Sequence, residues 1–189
     1  MILDKRTILN SVASPLSTFI RRSAASVVVT LLTSALGTPL AAATTENATV
    51  LVAVKAVRET IATSTNSIAW VNVPGATATF TVPALRKDLF IAQFTAESVC
   101  WGAGGYCPVR ILLNGVEMDP AAGTDFAFDS TDAGTANSSS WESHSVERSR
   151  AYQGSFIPVT VTVQVQYMVT SAGANFRLDD WHFTVQQLH

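Results

Sequence analysis

Apolar and polar side chains alternate with a period of two over much of the chain. Residues 159–167 give the clearest case, with valines and a tyrosine at odd positions and threonines and glutamines at even positions. Residues 76–82 follow the same pattern, with threonines between the apolar side chains. Because successive side chains of a strand point to opposite faces, both segments are predicted to be half-buried strands. Residues 89–94 and 109–113 are more continuously apolar, which favours central strands.

Turn signals separate these segments. Asn114-Gly115 directly follows residues 109–113 and predicts a β-hairpin that returns through residues 116–118. Residues 50–61 mix apolar and charged side chains, and they fit either a helix or a strand over residues 49–57. About eight or nine strands at roughly 10-residue spacing are typical of all-β domains. We therefore expect an all-β fold, a single antiparallel β-sandwich or jelly roll.

The last segment of the chain changes its phase. Phe176 and Leu178 are apolar at even positions, whereas the apolar side chains of residues 181–185 stand at odd positions. One strand can keep both sets on one face only if a residue is inserted, and Asp179-Asp180 marks the slip. The pattern therefore predicts a β-bulge there, with two short strands and a turn as the alternative. No glycine or proline marks such a turn.

Residues 1–43 differ in kind from the rest of the chain. They carry four basic residues and one acidic residue, an apolar stretch at 27–36, and the small-residue end Ala41-Ala42-Ala43. This layout is typical of a signal peptide cleaved after Ala43, and a retained membrane anchor is the alternative. The pair Arg21-Arg22 leaves both the Sec and the twin-arginine export routes open. We expect a secreted protein, extracellular or periplasmic, with a signal peptide at 1–43, a strand or short helix and linker at 44–66, and a β-sandwich at 67–189.

The charge balance and the cysteines narrow the function classes. Charged residues make up only 14% of the chain and the formal net charge is −2, so a nucleic-acid partner is not expected. Cys100 and Cys107 are the two cysteines, and the six residues between them include three glycines. In an oxidising compartment this spacing predicts a structural disulfide, with metal-binding or redox thiols as the alternative.

Some segments resemble known β-sandwich proteins. The Thr-rich strand, the apolar strand, the Arg-Ile-Leu-Leu-Asn-Gly-Val-Glu hairpin and the late Val-x-Val-x-Val-Gln strand are similar to C1q/TNF-type jelly rolls. The closing Phe-Arg-Leu-Asp-Asp-Trp-x-Phe-Thr-Val is similar to uncharacterised secreted bacterial sandwich domains. The resemblance covers about residues 68–188 and implies a module that binds ligands or forms trimers without chemistry. No catalytic residue is carried over from it.

Candidate site residues come from loops and from the last strands. Three acidic loop residues could supply oxygen ligands to calcium, although a plain turn is the favoured explanation; they are Asp125, Asp129 and Asp132. Trp101 and Tyr106 could stack on a sugar or cover the disulfide, whereas Trp70, Trp141 and Trp181 are predicted to be core. The other ligand-binding candidates are Glu142, His144, Asp179, Asp180 and His182. One carboxylate of the Asp179-Asp180 pair is expected to point inward and to need a cation, namely Arg148, Arg150 or Arg177.

These observations favour an exported, non-catalytic module that binds a carbohydrate or a cell-surface ligand or that assembles with itself, for instance as a trimer. No cofactor is expected apart from the candidate calcium ion, and no stable membrane anchor. The alternative is a small secreted carbohydrate-active hydrolase that uses Glu142 with Asp179 or Asp180. A subunit of a surface assembly is a third hypothesis, favoured if an apolar surface is also exposed.

Overall fold

The computed structural model describes residues 45–122 and 126–189, and its regular structure is almost entirely β. Within that part of the chain no helix has the length and apolar character needed to cross a bilayer. A three-residue 3-10 turn spans Asp132–Gly134. The strands are β1 Leu51–Glu59, β2 Thr63–Thr65, β3 Val71–Val82, β4 Lys87–Gly102, β5 Tyr106–Cys107, β6 Val109–Leu113, β7 Val116–Glu117, β8 Asp129–Ser130, β9 Glu142–Gln153, β10 Val159–Tyr167 and β11 Ala174–Leu188. The ambiguous segment at 50–61 is therefore a strand.

All the strand pairs are antiparallel, as predicted, and they form two main sheets. The first sheet has the order β1-β11-β4-β9, and β2 pairs with β11 beside β1. The second has the order β3-β10-β6-β7, and a small ladder joins β5 to β8. The predicted signal peptide and its cleavage after Ala43 lie outside the described residues.

The core lies between the two main sheets. In β10 the odd positions from Val161 to Tyr167 are buried and the even ones are half-buried, as the alternation predicted. Phe80 of the second sheet packs edge-on against Phe90 of the first, with ring centroids 5.5 Å apart. Phe94 and Trp181 extend the same core on the first sheet. The prediction of an all-β, antiparallel fold is confirmed, and two sheets around one core are consistent with a β-sandwich.

Two local predictions about the backbone are confirmed. Asn114 and Gly115 both have positive φ, 51° and 78°, as a two-residue hairpin turn requires, and they join β6 to β7. In β11 the register slips between Asp179, opposite Glu97, and His182, opposite Thr95. The extra residue is the predicted bulge, and it lets Leu178 and Trp181 share the buried face.

The predicted disulfide is present. The sulfurs of Cys100 and Cys107 are bonded at 2.00 Å, which joins the end of β4 to β5 and excludes the alternative of a free thiol pair.

Of the three tryptophans that were predicted to lie in the core, only one is buried. Trp181 is buried, but Trp70 and Trp141 are half-buried. The guanidinium of Arg110 lies 4.4 Å from the Trp70 ring, and that of Arg177 lies 5.2 Å from the Trp141 ring. Cation–π stacking holds each indole at the surface with one face covered, so neither needs an apolar pocket.

Candidate functional site

One end of the sandwich displays large apolar side chains to solvent. We name Leu85, Phe156 and Ile157 the apolar tip; their exposed fractions are 65%, 89% and 70%. Leu85 lies in the loop between β3 and β4, and Phe156 and Ile157 lie in the loop between β9 and β10. Single exposed apolar side chains are ordinary, but three on two adjacent loops are the kind of surface that marks an interaction site.

The two loops of the apolar tip are bound to each other. The amide of Leu85 donates to the carbonyl of Ser155 at 2.7 Å, and the amide of Gly154 donates to the carbonyl of Arg86 at 2.7 Å. A Cβ at Gly154 would lie 2.6 Å from the carbonyl oxygen of Pro83, so only glycine permits this approach. The backbone under Phe156 is therefore held by hydrogen bonds.

The backbone of Leu85 adopts a conformation that leucine disfavours. Its φ is 60°, in the left-handed region, where a branched side chain costs roughly 1 kcal/mol. Glycine or asparagine would suit this turn better, and an exposed leucine gains little from burial. The Leu85 side chain is therefore both strained and exposed, and its burial contributes little to the stability of the fold.

A buried carboxylate lies at the base of the apolar tip. Asp88 is fully buried, and its Oδ1 lies 2.6 Å from Nε of Arg86. Nη2 of Arg86 donates to Oδ2 of Asp88 at 2.8 Å, and the Gln187 amide donates to the same oxygen at 2.5 Å. Because Arg86 directly follows Leu85, this pair ties the first loop of the tip to β4.

The apolar surface continues from the tip end along the outer face of the first sheet. Leu51, Leu188, Leu89 and Ala151 stand in register across β1, β11, β4 and β9. Leu51 is exposed, and the other three are half-buried. A cavity of about 480 Å³ lies beside this row and is partly lined by residues 45–46. The outer face is thus apolar at the tip end and polar further along.

A second group of side chains lies at the opposite end of the first sheet. We name Asp129, Glu142 and His144 the carboxylate–histidine cluster; one ligand atom from each lies within 4.8 Å of the others. Nε2 of His144 is 3.2 Å from Oε2 of Glu142 and 3.9 Å from Oδ1 of Asp129. The hydroxyl of Ser98 donates to Oδ2 of Asp129 at 2.6 Å and fixes that carboxylate.

The three residues named for calcium do not form one group in the described chain. Asp129 belongs to the carboxylate–histidine cluster, whereas Asp132 accepts a hydrogen bond from the Ser130 hydroxyl at 2.9 Å. Asp125 lies outside the described residues. The loop that holds them also contains a buried residue, Thr131, whose hydroxyl bonds both backbone groups of Gly105. Residues 130–140 are therefore better tied to the domain than their polar composition indicates.

The aromatic candidates near the disulfide lie at the surface. Trp101 is half-buried on the outer face of β4, and Tyr106 is exposed beside Cys107. Arg177, whose guanidinium lies over the Trp141 ring, is opposite Val99, two positions from Trp101 on the same face of β4. Arg177 therefore connects Trp141 to the outer face that carries Trp101, a link that the sequence did not reveal.

The acid pair at the bulge is not buried, which corrects the expectation of an inward carboxylate. Asp179 is 26% exposed and its Oδ2 lies 3.7 Å from Arg177, one of the three expected partners. Asp180 is exposed with a φ of 42°. Leu178 and Trp181 are both buried, and the bulge places both acidic residues between them, so neither carboxylate enters the core. His182 is half-buried, with Nε2 3.2 Å from the Thr184 hydroxyl.

The hydrolase pair does not converge. Glu142 is opposite Ser98, which is buried on the inner face, whereas Asp179 is opposite Glu97, which is exposed on the outer face. Glu142 and Asp179 are therefore on opposite faces of the first sheet, which argues against this pair at one glycosidic bond; Asp180, the other acid named for the hydrolase, has no pairing partner in the ladder.

No protein-family model and no curated protein matches the chain. The apolar tip was missed at the sequence level, although Phe156-Ile157 between Gly154 and Pro158 is an apolar pair inside a turn and could have drawn attention.

Proposed function

We propose that the protein is an exported, non-catalytic binding module that docks on the lipid surface of a cell through the apolar tip. The observation that carries the proposal is the 89% exposure of Phe156 on a loop whose backbone is hydrogen-bonded in place. The disulfide supports an oxidising compartment.

The shape of the tip favours lipid over a second copy of the chain. Protein interfaces seat apolar anchors in pockets of the partner, whereas a bilayer accepts any protruding apolar group. Phe156, Ile157 and Leu85 stand free at the ends of two loops, and insertion would transfer all three from water. At roughly 1.5–3 kcal/mol for each fully transferred side chain, partial insertion gives about 5 kcal/mol. That magnitude is close to a single acyl anchor and makes the docking reversible.

The first residues that the structure describes also lie at the end of the domain that carries the apolar tip. The amide of Val50 donates to the carbonyl of His189, and Glu46 lies 3.9 Å from Nζ of Lys87 beside the tip.

Charge is expected to contribute little to this docking. Lys87 faces Glu46, and Arg86 is neutralised by Asp88. We therefore expect partition into vesicles to depend weakly on anionic lipid and on salt. This weak dependence would distinguish the apolar tip from a basic surface that binds phosphate groups.

Co-sedimentation of the purified protein with phosphatidylcholine vesicles tests the proposal. Phe156→Ser should lower the partition coefficient about 30-fold, since the loss of roughly 2 kcal/mol of transfer energy corresponds to that factor. The matched control is Ile61→Ser, because Ile61 is 73% exposed but lies outside the tip. If the unaltered protein stays in solution, or if both variants behave alike, the proposal fails; a dimer or trimer in sedimentation that Phe156→Ser dissociates would assign the tip to self-assembly instead.

A second candidate function is glycan binding on the surface formed by Trp101 and Trp141. Trp101 on the outer face and Trp141 under the Arg177 guanidinium supply the stacking surfaces and hydrogen-bond donors that sugar rings need. A glycan array with the unaltered protein and Trp101→Ala would test it, since binding should be present in the first and lost in the second. The resemblance to C1q/TNF-type modules and the trimer it implies remain a prediction for the same sedimentation experiment.

A further inference from the structure

We propose that the carboxylate–histidine cluster binds a divalent transition-metal ion, with Zn²⁺ the best match. Its donors are Asp129 and Glu142 through carboxylate oxygens and His144 through Nε2. This site lies at the opposite end of the sandwich from the apolar tip, and it does not depend on the proposed docking function.

The spacing of the donors fits a single ion. Ligands at 2.0–2.2 Å from one zinc ion lie about 3–4 Å from each other. Nε2 of His144 is already 3.2 Å from a Glu142 oxygen and 3.9 Å from an Asp129 oxygen. Small rotations of the side chains would bring all three donors into the coordination sphere.

The imidazole nitrogen supplies a second, independent observation. Nε2 of His144 is shielded from solvent and makes no hydrogen bond of standard geometry to a described residue, although a Glu142 oxygen lies 3.2 Å away. Buried polar atoms are nearly always paired, and an exception requires an explanation such as a bound ion. Here the atom without a hydrogen bond lies within 4 Å of two carboxylates, as a ligand of a shared cation would.

The surroundings hold the donors in place. The Ser98 hydroxyl and the Ser130 amide each bond one oxygen of Asp129 at 2.6 Å. Asp129 is opposite Cys107 in the β5–β8 ladder, and the disulfide from Cys107 returns to β4, the strand that carries Ser98. The disulfide therefore fixes the distance between the carboxylate and its serine. Outer partners of this kind commonly change metal affinity 10–100-fold.

The donor types select the metal. Calcium takes six to eight oxygen ligands, and an imidazole nitrogen is a poor substitute. One nitrogen and two carboxylates suit Zn²⁺ or a neighbouring transition metal, and three protein ligands leave a fourth position open. Glu142 is 60% exposed, so that position is accessible to a small molecule or to a donor from a partner.

Isothermal titration calorimetry of the full protein with ZnCl₂, after removal of metal with a chelator, tests the inference. We expect one equivalent of Zn²⁺ to bind and CaCl₂ to give no heat at the same concentration. His144→Gln should lower the affinity at least 10-fold, and His182→Gln, the matched control on β11, should leave it unchanged. Ser98→Ala should lower it 10–100-fold although Ser98 does not touch the ion.

The folding of each variant is checked by circular dichroism in the presence of the chelator. If His144→Gln fails to fold, Glu142→Gln replaces it, because that side chain is exposed and its amide cannot bind as a charged ligand. The inference is overturned if no Zn²⁺ binds, if His182→Gln loses as much affinity as His144→Gln, or if calcium binds as well as zinc.

Discussion

Asp88 is the most deeply buried charged group in the described chain, and its removal should destabilise the domain strongly. Its carboxylate is 0% exposed and faces the guanidinium of Arg86 and the amide of Gln187. Asp88→Ala would leave both donors without their shared acceptor. Breaking a fully buried ion pair typically costs about 3–5 kcal/mol, and Arg86 is partly exposed and can recover some hydration. We therefore expect a loss of about 3 kcal/mol.

Guanidinium denaturation followed by tryptophan fluorescence measures this loss. A change of about 3 kcal/mol corresponds to a midpoint lower by roughly 0.8 M, or to a melting temperature lower by about 10 °C for a domain of this size. The matched control is Asp179→Ala, since Asp179 also faces an arginine on the first sheet but is partly exposed. If the two variants lose the same stability, the reasoning from burial is wrong.

A double replacement distinguishes the effect of the charges of Arg86 and Asp88 from the effect of their side-chain packing. Substituting Arg86→Met together with Asp88→Leu removes both charges, and an apolar pair of similar volume is often neutral in such positions. We expect the double variant to recover at least half of the stability lost in Asp88→Leu alone. No recovery would mean that the cost comes from the shape of the site and not from an uncompensated charge.

The remaining predictions concern cross-links, turns and the bulge. Replacing Cys100 and Cys107 with serine should cost about 2–3 kcal/mol without abolishing folding, as measured by urea denaturation with and without reductant. Gly154→Ala should lower the melting temperature by several degrees, because its Cβ would meet two backbone carbonyl oxygens at 2.6 and 2.9 Å; an unchanged value would show that the loops are looser than described. Asp179→Ala and Asp180→Ala should each change stability by less than about 1 kcal/mol, and a large difference between them would restore the hypothesis of an inward carboxylate.

The strands with a strict alternation could be predicted from the sequence, and those without it could not be placed on a face. β10 spans the nine residues of its pattern, and the phase slip in β11 located the bulge to the residue pair. In β4, residues 89–92 are apolar at both parities, so the pattern does not say which face is buried. Asp88 and Phe90 both stand at even positions and both are buried. The apolar pattern of this segment does not show that the even positions face the core.

The candidate sites depend on tertiary contacts that no local pattern contains. Glu142 and His144 are two residues apart on one strand and so share a face, a signal the sequence does carry. Asp129 reaches them only because β8 pairs with β5 beside the disulfide. Likewise, an apolar side chain in a turn can fold inward or stand in solvent, and only the packing of the two loops shows that Phe156 stands in solvent.

Because β11 contains an inserted residue, we expect it to tolerate substitutions at the bulge better than deletions. Substitutions of the exposed Asp180 by glycine or asparagine, which suit its φ of 42°, should be accepted, since its side chain supports no buried contact. Deleting the same codon would shift the pairing by one residue and turn either residues 174–178 or residues 181–187 to the opposite face. A library of single-codon deletions across residues 174–188 should therefore lose folded protein at a position where these two substitutions are nearly silent. In descendants of this gene, length should be more strictly preserved than composition at this point of the strand.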